Sequence, residues 1–260
     1  MVRGARALVR LLGGLVLGLL TILLLLHHQA SPRVVVGGAG NTLSTILVFD
    51  GRVIVLGSGS TSNDSVELAD RTTLPWQRPY DLLIVPAWDT DQVTGAIGFV
   101  ERRAVRSVIV AGSPNNDPAW TILERMATAR GLRFSLLTDP FVVPLGNESV
   151  LEVFPRQDVL LACLRVGVVR ISLVDVATQA EYADPCGRAA AVVAFRQGVR
   201  LGAPLVLRPE PRRATDLAPV APYEIQLGRG ERVELRIANG ELRVPLATLV
   251  SLPESTPIAP

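Results

Sequence analysis

No lysine occurs anywhere in the 260 residues, so all 26 basic residues are arginine. That bias reads as the composition of a GC-rich genome, and arginine clusters carry little meaning by themselves. The only histidines are the adjacent pair His27 and His28. These absences exclude chemistry. Without histidine in the body of the chain there is no Ser-His-Asp triad. Without lysine there is no Ser-Lys pair, and "GSGS", 57–60, cannot be a phosphate-binding loop. Cysteine is scarce too, with only Cys163 and Cys186. No CxxC spacing exists, which excludes a zinc ribbon. Cys163 falls in an apolar run and Cys186 in the loop "ADPCG". They are either two free thiols or, in an exported domain, a disulfide. A formal net charge of +2 argues against a dedicated nucleic-acid binder.

What the chain does have is apolar sequence, 48% of its residues, enough for a sizeable core. The strongest run is "LLGGLVLGLLTILLLL", Leu11–Leu26, which carries no charge and follows Arg3, Arg6 and Arg10. As a helix it spans about 24 Å at about 1.5 Å per residue. Extended back to Ala7, with Arg10 snorkelling, residues 7–26 approach the hydrocarbon thickness of a bilayer. The preceding arginines predict a cytoplasmic N-terminus, a single pass and an extracytoplasmic body. A signal peptide cleaved after Ala30 is the rival reading. His27 and His28 then form an interfacial polar flank.

Beyond the linker, Val34–Val36, Leu43–Phe49 and Val53–Leu56 read as strands, with Asp50-Gly51 as a hairpin turn. "SGSTSNDS" reads as a polar loop. Leu82–Val85 is a strand, and Gln92–Arg103 is a helix with Val93, Ile97 and Val100 on one face. "VRSVIVAG" is a strand, "PAWTILERMATARG" a helix opened by Pro118 and stopped by Gly131, and "RFSLL" a strand. From Ser149 the pattern turns to strands: "SVLEVF", "DVLLACLRV" and "VVRISLVDV". A short helix near Thr178–Tyr182 precedes the strands "AAAVVAF" and "APLVLRP". The Arg-rich stretch Arg208–Arg213 reads as a solvated linker that would at most touch phosphate. It leads to an alternating tail with a turn at Asn239-Gly240. This order of elements predicts an α/β sandwich of two sheets with helices outside.

Five landmarks carry a resemblance. In order they are "GGAGNTLSTILV", "GRVIVLGSGS", "DLLIVPAWDTDQVTGAI", "VRISLVDV" and "AAVVAFRQG", covering roughly Val34–Pro209. They resemble the metallo-β-lactamase fold superfamily, and within it most of all the soluble domain of the competence DNA-uptake protein ComEC. The resemblance implies a four-layer αββα sandwich, an α/β fold, here preceded by the one transmembrane helix read from the apolar run. Together with the apolar run and the Pro- and Arg-rich linker, it divides the chain into an anchor or signal peptide (1–30), a metallo-β-lactamase-like domain (31–209), and a linker with a C-terminal β-hairpin extension (210–260).

The resemblance also maps a metal site onto this sequence, with most ligands missing. The His-x-His/Asp-x-Asp-His positions read Ala87, Asp89, Asp91 and Gln92. Asp175 stands at the bridging aspartate. Arg196 and Gln197 replace the final histidines, and Leu56 replaces a supporting aspartate. Zinc needs imidazole or thiolate ligands and an open position for water. The expectation is therefore a degenerate, catalytically inactive site with no cofactor, in which Arg196 pairs with Asp175 or Asp91. The function expected is binding or scaffolding, with a protein partner or, by family analogy, nucleic acid. The alternative is a phosphodiesterase-like hydrolase holding Mg²⁺, Mn²⁺ or Ca²⁺ on Asp89, Asp91 and Asp175. Read without the resemblance, Asp91 or Thr90 caps the following helix, Asp89 is an exposed turn residue, and Asp175 ends a strand and caps a helix near Thr178.

Overall fold

A computed structural model describes residues 13–21, 32–73, 77, 79–86, 89–113, 117–146, 148–156, 159–176, 184–196, 203–210 and 222–244. Two mixed sheets lie face to face. The first has eight strands in the order β15-β14-β1-β2-β3-β4-β5-β6. These are β1 (Arg33–Ala39), β2 (Thr42–Phe49), β3 (Arg52–Ser58), β4 (Leu82–Pro86), β5 (Ser107–Ala111), β6 (Arg133–Leu137), β14 (Arg232–Ala238) and β15 (Glu241–Arg243). The second has seven, in the order β13-β12-β11-β10-β9-β8-β7. Its strands are β7 (Phe141–Gly146), β8 (Ser149–Pro155), β9 (Val159–Val166), β10 (Val169–Val176), β11 (Ala191–Ala194), β12 (Leu205–Pro209) and β13 (Tyr223–Leu227).

Strand sequence explains the layering. In β9, Leu160, Ala162 and Leu164 point into the core between the sheets, while Val159, Leu161 and Cys163 point to the outer face. Both sets are buried, so the strand is apolar at almost every position. The hairpin turns follow from their residues. Asp50 and Gly51 have φ of 46° and 77°, and Asn239 and Gly240 have 55° and 74°. Positive φ at both central residues is the turn whose twist matches a hairpin.

Helices α2 (Ser62–Thr72), α3 (Thr90–Arg102) and α4 (Pro118–Ala129) cover the outer face of the first sheet. Helix α2 lies where the sequence suggests only a polar loop. Its Val66, Leu68 and Ala69 are buried against the sheet. The Thr61 hydroxyl bonds the Asp64 carboxylate at its start. Strand β7 was not anticipated either. The outer face of the second sheet is buried under segments that include Cys186, Ala189 and Ala203. Three of the four expected layers are thus described, and the expected helix near Thr178–Tyr182 lies outside the described residues. Cys163 and Cys186 form a disulfide in this outer layer, with a Cα–Cα distance of 5.2 Å.

The tail beyond residue 210 contains the expected hairpin, β14–β15, and is built into both sheets. Strand β13 extends the second sheet in parallel with β12, and β14 pairs with β1 in the first. One tail therefore closes an edge of both sheets. Arg208, expected in a solvated linker, lies in β12 with 1% of its surface exposed and is ion-paired with Glu224. Arg212 and Arg213 lie outside the described residues. So does most of the N-terminal apolar run. Residues 13–21 form an exposed helix, α1, and among the described residues no helix is long and apolar enough to cross a membrane.

Candidate functional site

Strands β3, β4, β10 and β11 all end at the same end of the sandwich, and α3 begins there. The topology thus gathers side chains from four distant stretches at one place. Asp89 ends the connection from β4. Its backbone is extended (φ −97°, ψ 99°), and its Oδ1 accepts hydrogen bonds from the N–H groups of Asp91 (3.0 Å) and Gln92 (3.3 Å). Asp89 is therefore the N-cap of α3, a role the sequence reading gave to Asp91 or Thr90. It is also buried, where an exposed turn residue was expected. Asp91 is exposed.

The second oxygen of Asp89 meets Arg196. Its Oδ2 is 2.5 Å from a terminal guanidinium nitrogen, and Arg196 Nε is 3.5 Å from Asp175 Oδ1. Arg196 follows β11 and Asp175 closes β10, which are parallel neighbours with Val174 opposite Ala194. The two carboxylates are 1% and 0% exposed, while Arg196 is 31% exposed. Arg196 thus joins the second sheet to the first turn of a helix on the far side of the first. The sequence reading paired it with Asp175 or Asp91; the shorter contact is to Asp89.

Burial pushes the Asp175 carboxyl well above the usual carboxylate range, and neighbouring Asp89 pushes it further. Arg196 opposes both without cancelling them, because its Nε is more distant from Asp175 than its terminal nitrogen is from Asp89. Burial also pulls on the Arg196 guanidinium, but the hydrogen bond and charge of Asp89, aided by Asp175 and Asp91, outweigh it and leave its pKa raised.

Gln92 is fully buried and works as a strut. Its Oε1 accepts from Gly59 N–H at 2.8 Å, and its main-chain carbonyl accepts from the Ser58 hydroxyl. Ser58 sits between Gly57 and Gly59, both at φ 71°. A Cβ on Gly59 would meet the Ala39 Cβ at 2.2 Å. The "GSGS" stretch is thus a tight framework turn. Leu56 faces the core between the sheets. The Thr90 hydroxyl donates to Asp117 Oδ2 at 3.0 Å, and Asp117 also caps α4 through Ala119 N–H. Sequence reasoning missed Ser58 and Asp117; the Asp117-Pro118 pair at a helix start was the available signal for the latter. Ala87 and Gln197 lie outside the described residues, as do His27 and His28.

No protein-family model matches the sequence, and no curated protein does. Solved structures of similar shape exist. One is zinc-bound PqqB from Methylobacterium extorquens, at 13% identity and TM-score 0.44, covering 62% of this chain and 70% of that one. A second is the Rm3 metallo-beta-lactamase, at 10% and 0.41, covering 65% and 77%. A third is CmlA, a diiron beta-hydroxylase from Streptomyces venezuelae, at 13% and 0.40, covering 63% of this chain and only 34% of CmlA. These neighbours are metallo-β-lactamase-fold proteins, and such identities speak of shape alone. None of these three is ComEC.

The expectation of no cofactor, with Mg²⁺, Mn²⁺ or Ca²⁺ as the alternative, is corrected by the same comparison. The neighbours are named as zinc and diiron proteins. The residues this chain brings together do not match such a centre. Arg196 stands between two of the three aspartates, the third is exposed, and no group of His, Cys, Asp and Glu among the described residues is arranged to hold an ion.

Proposed function

We propose that the protein is a membrane-tethered, extracytoplasmic binding or scaffolding module, in which the Asp89–Arg196–Asp175 cluster braces the sandwich and does not perform hydrolysis. The observation that carries this reading is the position of Arg196, within ion-pair distance of both buried carboxylates. A guanidinium is permanently charged and offers no open coordination position at which water is activated. The tether reading is supported by the apolar run Leu11–Leu26 behind three arginines, and the extracytoplasmic reading by the Cys163–Cys186 disulfide. The likeness to ComEC, and with it a place in DNA uptake or a protein partner there, rests on the order of the sequence landmarks. The hydrolase alternative keeps Asp89 and Asp175 together at one place, but Arg196 stands between them.

The test is turnover. Full-length protein supplied with zinc or ferrous iron is expected to cleave neither phosphodiester nor β-lactam substrates above the buffer rate. Turnover that Asp89→Asn and Asp175→Asn both abolish, in variants that remain folded by circular dichroism, would overturn the proposal.

A further inference from the structure

The end of the sandwich opposite the Asp89–Arg196–Asp175 cluster has its own character. Strands β3, β4, β5 and β6 run parallel, so their first residues lie together at that end. The chain also enters the body there. Arg33 opens β1 opposite Val48, and the Pro32 carbonyl accepts from Ile237 N–H at 3.2 Å. Only residues 27–32 separate Leu26, the last residue of the apolar run, from Arg33. Six residues reach at most about 20 Å when fully extended. Anything anchored by the apolar run holds this end close to the bilayer.

The two most exposed large apolar side chains of the described body are Val168, 80% exposed, and Tyr223, 71% exposed. Both lie at this end. Val168 is in the turn from β9 to β10, beside the Gly240 turn. Tyr223 opens β13 opposite Leu205, and its N–H donates to the Pro204 carbonyl. Exposed arginines share this end, several of them toward its β5–β6 edge. Arg52 donates to the Pro144 carbonyl, and Arg130 to the carbonyls of Val100 and Glu101. These acceptors are neutral, so both charges remain uncompensated by them. Arg106 pairs with Asp81 yet is 62% exposed, and Arg133 is exposed at the start of β6. The carboxylates of Asp50, Glu148 and Glu241 share this end and moderate its charge. The far end carries Asp64, Asp91, Asp117 and Glu231 together with Arg196, Arg229 and Arg232, so its acids are largely matched by base. An apolar tip, a tyrosine and exposed arginines on one end match the headgroup layer of an anionic membrane, where aromatic rings sit at the interface and basic groups are attracted to anionic lipid.

We propose that this end docks on an anionic phospholipid surface through Val168 and Tyr223, so that the Asp89–Arg196–Asp175 end faces away from the bilayer. The inference rests on the membrane-tether reading above. The experiment uses the full chain in vesicles of phosphatidylcholine and phosphatidylglycerol. A fluorescent thiol label is placed at Val168→Cys, at Tyr223→Cys, or at Arg229→Cys on the far end, with a headgroup-linked nitroxide lipid as quencher. The native cysteines are joined and buried, so the label goes to the introduced thiol. Quenching at 168 and 223 is expected to exceed that at 229 at least twofold, and the contrast should shrink without phosphatidylglycerol. A chain that floats with vesicles but quenches equally at all three positions overturns the docking and leaves the tether standing. An equal contrast in phosphatidylcholine alone overturns the anionic preference. A chain that does not float overturns both.

Discussion

Asp175 is the residue whose charge matters most to the molecule. Burial and the neighbouring Asp89 raise its pKa, so between the usual carboxylate range and that raised value the native state holds a proton that the unfolded chain has lost. Stability from this group is complete below the unfolded pKa and falls as pH rises through the folded one. Asp175→Asn removes that dependence. Urea midpoints at pH 5 and pH 8 are expected to differ less in the variant than in the parent, with the variant gaining at pH 8. Arg196→Met leaves two buried carboxylates facing each other and is expected to cost about 2–4 kcal/mol in urea unfolding, below the full range for a buried pair because Arg196 is partly exposed. The two substitutions share a partner, so the double variant is expected to lose less than the sum of the singles.

Elements were legible in the sequence where local chemistry alone specifies them. The Asp50-Gly51 and Asn239-Gly240 turns, the alternating strands and the Pro118 helix start all formed as read. Helix α2 was hidden because its polar first turn looks like loop, and its apolar residues declare a face only once Leu68 packs over Gly37. The dual role of Asp89 was hidden for the same reason: a cap is local, but its ion pair is not. Asp117→Ala is expected to cost about 1 kcal/mol through loss of the α4 cap. Gly95→Ala tests how closely α3 approaches the β3 turn. The new Cβ would meet the Gly59 and Ser58 carbonyls at 2.1 and 2.7 Å, and backbone cannot yield as a side chain can. A loss of about 2 kcal/mol or more is expected, read as a lowered Tm.

For the whole molecule, the tail is structural. Residues 222–244 close both sheets, so truncation before β13 is expected to leave an insoluble or molten body, checked by near-ultraviolet circular dichroism. The disulfide ties a connecting segment to β9 across 23 positions. Cys163→Ser with Cys186→Ser is expected to cost about 3 kcal/mol by chain entropy, and the parent should show no thiol reactive to Ellman's reagent after unfolding.

The sequence by itself determined most of the strands, the helices α3 and α4, the turns that close the hairpins, and that no histidine chemistry is open to the body. Those properties depend on neighbours along the chain: side-chain period, cap residues and composition. Only the tertiary structure decided that Arg196 meets Asp89 first and Asp175 second, that the cysteines pair, and that β13 and β14 part to different sheets. Each of those depends on strand order and register, which bring together residues far apart in sequence, and a single chain carries no local signal for them.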